Sequence, residues 1–146
     1  MSGEIDLQFV DTNILVYAYD STSVEKNKKA SQLMLTIWEN RNGCLSIQVL
    51  QEFFICITRK VSNPVDNATA SEIIRDLAVW KVHSPKVNDI LAAIELQQQY
   101  QISFWDAMMV WSAVALGCSV IWSEGLNDGQ IIQGTKIKNP FKNNLP

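Results

Sequence analysis

The chain has 146 residues, enough for one domain with a sizeable core, and 47% hydrophobic against 18% charged residues is the balance of a folded protein. A net charge of −3 argues against a basic-patch nucleic-acid binder, though not against a nuclease whose own site is acidic. No uninterrupted apolar run reaches the ~18 residues of a membrane span, and "MSGEIDLQFV" lacks the basic and long apolar regions of a signal peptide.

In chain order, "LQFV" reads as a buried strand and "DTNILVYAYD" as its handover to a helix from about Thr12. "KNKKASQLMLTIWENRNG" carries Ala30, Leu33, Met34, Ile37 and Trp38 at helical spacing and stops at Gly43. "CLSI" reads as a second strand, "QVLQEFFICITRK" as a helix and "SNPVDN" as a turn. "ATASEIIRDLAVW" is a helix and "WKVH" a third strand, and "VNDILAAIELQQQY" is again a helix. "SFWDAMMVWSAVALG" is a helix ended by Gly117, with "CSVIW" a fourth strand and "KIKN" a fifth, at the edge. Strands interleaved with helices of this length predict an α/β fold: a parallel sheet of about 4–5 strands with helices on both faces. The whole chain, 1–146, reads as a single domain, with 140–146 expected to be a loose tail. Cys44, Cys56 and Cys118 lie far apart without a C-x-x-C, so a reducing cytoplasm fits better than a disulfide framework.

The acids stand out by position. In open α/β sheets, sites form beyond the carboxyl ends of the strands. Asp11 ends the first strand, Glu52 follows the second, and Glu124 and Asp128 follow the fourth. Asp106 opens the helix that leads into the fourth strand and is the only charge in that apolar helix, which is expected to be buried, its tryptophans included. Carboxylates gathered in an apolar setting repel one another unless a cation holds them, and hard Mg²⁺ or Mn²⁺ suits oxygen ligands. Each acid also has a plain reading. Asp11 can cap the following helix. Ser103-x-x-Asp106 has the form of a capping box. Glu52 can be a solvated helix residue. His83, the only histidine, lies in a strand-like run, which disfavours a zinc site or a Ser-His-Asp triad. A phosphatase using Asp11 as nucleophile would need a second Asp at position 13, where Asn13 stands. Leu33, Met34, Ile37 and Trp38 fit either core packing or a partner surface.

Four segments in order carry a resemblance: "FVDTNILVYAYD", "LSIQVLQEFFICITRK", "YQISFWDAMMVWSAVALGC" and "VIWSEGLNDGQII" with "IKNPF" after it. Together they resemble a PIN domain, the nuclease fold of VapC-like toxins in toxin–antitoxin pairs. The resemblance implies a three-layer α/β/α architecture and Mg²⁺- or Mn²⁺-dependent hydrolysis of RNA. It implies metal ligands at Asp11, Glu52 and Asp106, with Thr12, Asn13 and Ser103 supporting them. It also implies a homodimer and a small antitoxin partner. The closing loop departs from the family, because Gly125 stands where a fourth carboxylate is expected. Glu124 and Asp128 are the neighbours that could replace it. A non-catalytic PIN-like module that binds RNA or protein through a degenerate metal site is the alternative.

Overall fold

The computed structural model describes residues 6–142. β1 (Gln8–Val10) leads into α1 (Thr12–Tyr19) and α2 (Val24–Asn40), and β2 (Gly43–Ser46) into α3 (Ile47–Ile55) and α4 (Asn67–Leu77). β3 (Lys81–His83) leads into α5 (Val87–Tyr100) and α6 (Phe104–Ala115), and β4 (Val120–Trp122), β5 (Ile131–Ile132) and β6 (Thr135–Lys138) follow. They form one sheet of six strands in the order β3-β2-β1-β4-β6-β5. All neighbours are parallel except β5, which runs antiparallel to β6. Connections β1→β2 and β2→β3 step one way across the sheet and β3→β4 steps back. Right-handed crossovers therefore put α1–α4 on one face and α5–α6 on the other.

Two boundaries differ from the sequence reading. "KIKN" belongs to an inner strand, because β5 lies outside it. The two-residue loop Gln133–Gly134 has φ of 47° and 89°, the doubly positive geometry of a tight hairpin, and a two-residue strand is too short to show a pattern. α2 ends not at Gly43 but at Asn40, where Arg41 takes a left-handed conformation (φ 54°) and closes the helix with its own N–H. Gly43 has another role. A Cβ there would sit 2.4 Å from the Trp80 ring, so the glycine lets that ring lie against the start of β2.

Phe9, Leu15, Leu45, Phe53, Ile121 and Ile137 are fully buried in the core. Leu33, Met34 and Ile37 join it, which leaves Trp38 (43% exposed) as the partner-surface candidate of that set. α6 buries Ala107 to Val110, Ser112 and Ala113, but Trp105 is 62% exposed, contrary to its expected burial. At the far end Pro140 is buried and Phe141 meets Tyr17 edge-on at 5.2 Å. The expected loose tail is thus held at its first two residues, and 143–146 lie outside the described residues. No helix among the described residues is long and apolar enough to cross a membrane.

Candidate active site

β1 lies between β2 and β4, at the point where the strand order reverses, and a crevice opens there beyond the carboxyl ends of the strands. A cavity of about 640 Å³ lies there, and Asp11, Glu52 and Asp106 all line it. Three separate segments deliver them: the end of β1, the middle of α3 and the first turn of α6.

Asp11 stands at the N-cap position of α1 but makes no side-chain capping bond. Its Oδ2 instead accepts hydrogen bonds from Ser123 Oγ (2.7 Å) and Asn13 Nδ2 (3.3 Å). Burial pushes its carboxyl up to about 6, and the nearby charges of Asp106 and Glu52 push the same way against the Ser123 and Thr12 hydrogen bonds. Glu52 Oε1 accepts from Thr12 Oγ1 (3.0 Å) and, at 3.5 Å, from Gln48 Nε2. Gln48 Nε2 also reaches the carbonyl of Trp105 (3.1 Å), which ties α3 to the start of α6. Ser103 acts as the helix cap of α6, accepting from Asp106 N at 3.1 Å. That bond uses the backbone of Asp106 and leaves its carboxylate to face the cavity. Ser103 itself does not line the cavity, whereas Thr12 and Asn13 do.

The two substitutes for a fourth acid are elsewhere. Glu124 Oε1 accepts from Tyr17 Oη (2.8 Å) and its Oε2 is ion-paired with Lys26. Lys26 in turn lies over the Tyr17 and Phe141 rings, 5.0 and 5.5 Å from their centroids. Asp128 accepts from Asn139 N (2.9 Å) and lines a different cavity with Asp6, Gln8 and Lys138. Neither lines the cavity of the three acids. Gly125 does, and its α-carbon hydrogen faces open space: an added Cβ would meet only Asn13 Nδ2, at 3.8 Å.

The donor set consists of carboxylate oxygens, without histidine or cysteine sulfur beyond Cys56 at the wall, and this is the chemistry of a hard cation. A positive charge there would offset the burial that chiefly raises Asp11 and the smaller repulsion from Asp106 and Glu52. Among the described residues, no group of three Asp, Glu, His or Cys side chains is already disposed to hold an ion. The acids share the cavity without being drawn into a coordination shell.

Ser123 was not foreseen as a supporting residue. The parallel register, which pairs Val10 with Trp122, puts the residue after each strand side by side, so Ser123 falls beside Asp11. Pairing partners are not visible in one strand's sequence. His83 is a strand residue tied between helices, as its pattern suggested. Its Nδ1 is 2.7 Å from Ser112 Oγ and its Nε2 3.6 Å from Asp89 Oδ2. This has the look of a hydrolytic triad, but Ser112 is 1% exposed, so no substrate can reach it.

The PIN domain family model matches residues 9–127. No curated protein sequence matches the chain. Among solved structures, a toxin–antitoxin complex from Klebsiella pneumoniae superposes with a TM-score of 0.68 at 17% identity, covering 91% of this chain and 97% of that one. VapBC2 from Rickettsia felis, bound to a DNA fragment from its promoter, gives 0.66 at 17% over 91% and 98%. VapC20 of Mycobacterium tuberculosis, a sarcin-ricin loop cleaving toxin, gives 0.62 at 20% over 78% and 86%.

Proposed function

The chain belongs to the PIN domain family, and from that premise we propose that it is a Mg²⁺- or Mn²⁺-dependent endoribonuclease, the toxin of a type II toxin–antitoxin pair acting in the cytoplasm. The observation that carries this reading is the meeting of Asp11, Glu52 and Asp106 in one cavity at the switch point of the sheet. These three residues would hold the ion. When bound, it would lower the pKa of a water nucleophile and neutralise charge on the phosphoryl oxygens. The chain's own residues do the positioning. Ser123 and Asn13 fix the Asp11 carboxylate, and Thr12 and Gln48 fix Glu52. The Ser103 cap fixes the start of α6 and with it Asp106. No histidine lines the cavity, so proton transfer falls to carboxylates and water.

A nucleolytic reading is supported by VapC20, named as a sarcin-ricin loop cleaving toxin. An antitoxin partner is supported by the complexes from Klebsiella pneumoniae and Rickettsia felis. A homodimer is part of the same reading, and light scattering at micromolar concentration tests it. The purified protein should cut single-stranded or loop RNA with Mg²⁺ or Mn²⁺ and stop on addition of EDTA. Wild-type cleavage by Asp11→Asn would refute the metal role. Gly125 at the place of the fourth acid favours a second reading, a PIN-like module that binds RNA or protein without cutting. Binding of RNA without any Mg²⁺-dependent cleavage would decide for it.

A further inference from the structure

The cavity of the three acids has one cation among the described residues that line it, Lys60. Lys60 is exposed and makes no ion pair among the described residues. Lys26, on the Tyr17 side of the cavity, is taken up by Glu124. Lys60 belongs to a π-helical segment, Cys56–Lys60, that continues α3. The segment has a consequence for direction. Lys60 is eight residues beyond Glu52. In an unbroken α-helix that spacing turns a side chain about 80° away and carries it about 12 Å along the axis. A π turn takes more residues per revolution, so each residue rotates less and Lys60 is brought back toward the face that Glu52 occupies. A lysine at a helix end commonly just opposes the dipole, but Arg59 is also there and does not line the cavity.

We propose that Lys60 binds a backbone phosphate of the RNA next to the one being cut. This rests on the ribonuclease reading above and deepens it. Lys60 lies about two turns along the helix from Glu52, which sets it toward a phosphate flanking the one at the acids, and an otherwise acidic cavity repels the rest of the strand. A single cation at its rim gives the flanking phosphate a place and sets the strand's direction across the acids.

The test is salt dependence of binding, read by anisotropy of a short fluorescein-labelled oligouridine. The parent is Asp11→Asn, in which the RNA stays intact. Adding Lys60→Gln should make the slope of log K against log salt shallower by about 0.7, the value for one contact to a single strand. Between roughly 50 and 200 mM salt, affinity should then fall about 2.5-fold less than for the parent. Lys60→Arg should restore the slope, and Lys28→Gln, on an exposed part of α2, should leave it alone. Equal slopes for the parent and Lys60→Gln would overturn the assignment of Lys60 while cleavage by the wild type leaves the ribonuclease reading standing. A wild type that neither binds nor cuts RNA would bring down both.

Discussion

Replacing Asp11 by Asn should stabilise the metal-free protein. The folded state holds this carboxyl at about 6 against an ordinary 3.8, chiefly by burial, with Asp106 and Glu52 adding to it. A raised carboxyl binds its proton more tightly in the folded than in the unfolded chain. Its contribution to stability is therefore full at low pH and is lost as pH rises from about 4 to about 6. Roughly two pH units at 1.36 kcal/mol each put about 3 kcal/mol of destabilisation on the wild type at pH 7. Asparagine has nearly the same shape and no charge. It forfeits part of the Ser123 hydrogen bond, which is worth about 1 kcal/mol. The net gain is about 2 kcal/mol, or about 4–8 °C in Tm for a chain of this size.

The assay is thermal or urea unfolding in EDTA from pH 4 to pH 8. The variant's advantage should be present at pH 7 and be lost by pH 4, where the folded wild-type carboxyl is protonated and only the forfeited Ser123 bond remains, to the wild type's slight favour. Adding Mn²⁺ should reverse the order, because only the wild type gains from binding an ion, by about 2.7 kcal/mol at a hundredfold excess over Kd. A variant less stable at pH 7 by 0.5–2 kcal/mol would mean that Asp11 serves as a helix cap, and the reasoning would be refuted. The missing capping bond at Asp11 is what sets the expected sign.

Gly43→Ala should cost about 1–3 kcal/mol by urea unfolding, since its Cβ would overlap the Trp80 ring and force it off β2; a neutral result would show that the ring moves freely. Gly125→Asp should be tolerated by the backbone, because Gly125 is not among the positive-φ residues and the new Cβ meets only an ordinary contact. It should raise Mn²⁺ stoichiometry, measured by titration calorimetry, while Glu124→Gln leaves it unchanged; two tightly bound ions in the wild type would sink this expectation.

Much of the fold was legible because the elements alternate cleanly and several are punctuated locally. Ser46, Asp66 and Ser103 each cap the helix that follows through a side-chain oxygen, and such caps are readable one residue at a time. What escaped the sequence reading depends on geometry between segments. β5 is two residues long and exists only because its hairpin partner β6 is there. Gly43 looked like a helix stop because glycine usually is one, yet the constraint comes from Trp80, far along the chain. The π-helical turn at Cys56–Lys60 left no mark in the apolar pattern.

The candidate site was conspicuous in its acids for a different reason. A charge in an apolar segment is costly, so Asp11 and Asp106 were conspicuous against Phe9, Val10 and the run of α6. Thr12, Asn13 and Ser103 were readable beside the acids, but Ser123 and Gln48 were hidden, because hydroxyls and amides cost little wherever they fall. Ser123 becomes a partner of Asp11 only through the register of β1 with β4, and Gln48 reaches Trp105 only because α3 and α6 meet at the cavity. The same logic decides among the acids after β4. The sequence left Glu124 and Asp128 both open as substitutes for the acid absent at Gly125, but the Tyr17 hydroxyl and the Lys26 ammonium hold the Glu124 carboxylate outside the cavity, and Asp128 lines a different one. An acid counts toward an ion site only if no cation of the protein has already claimed it. By that criterion the chain brings three carboxylates to its cavity and leaves the fourth place to Gly125.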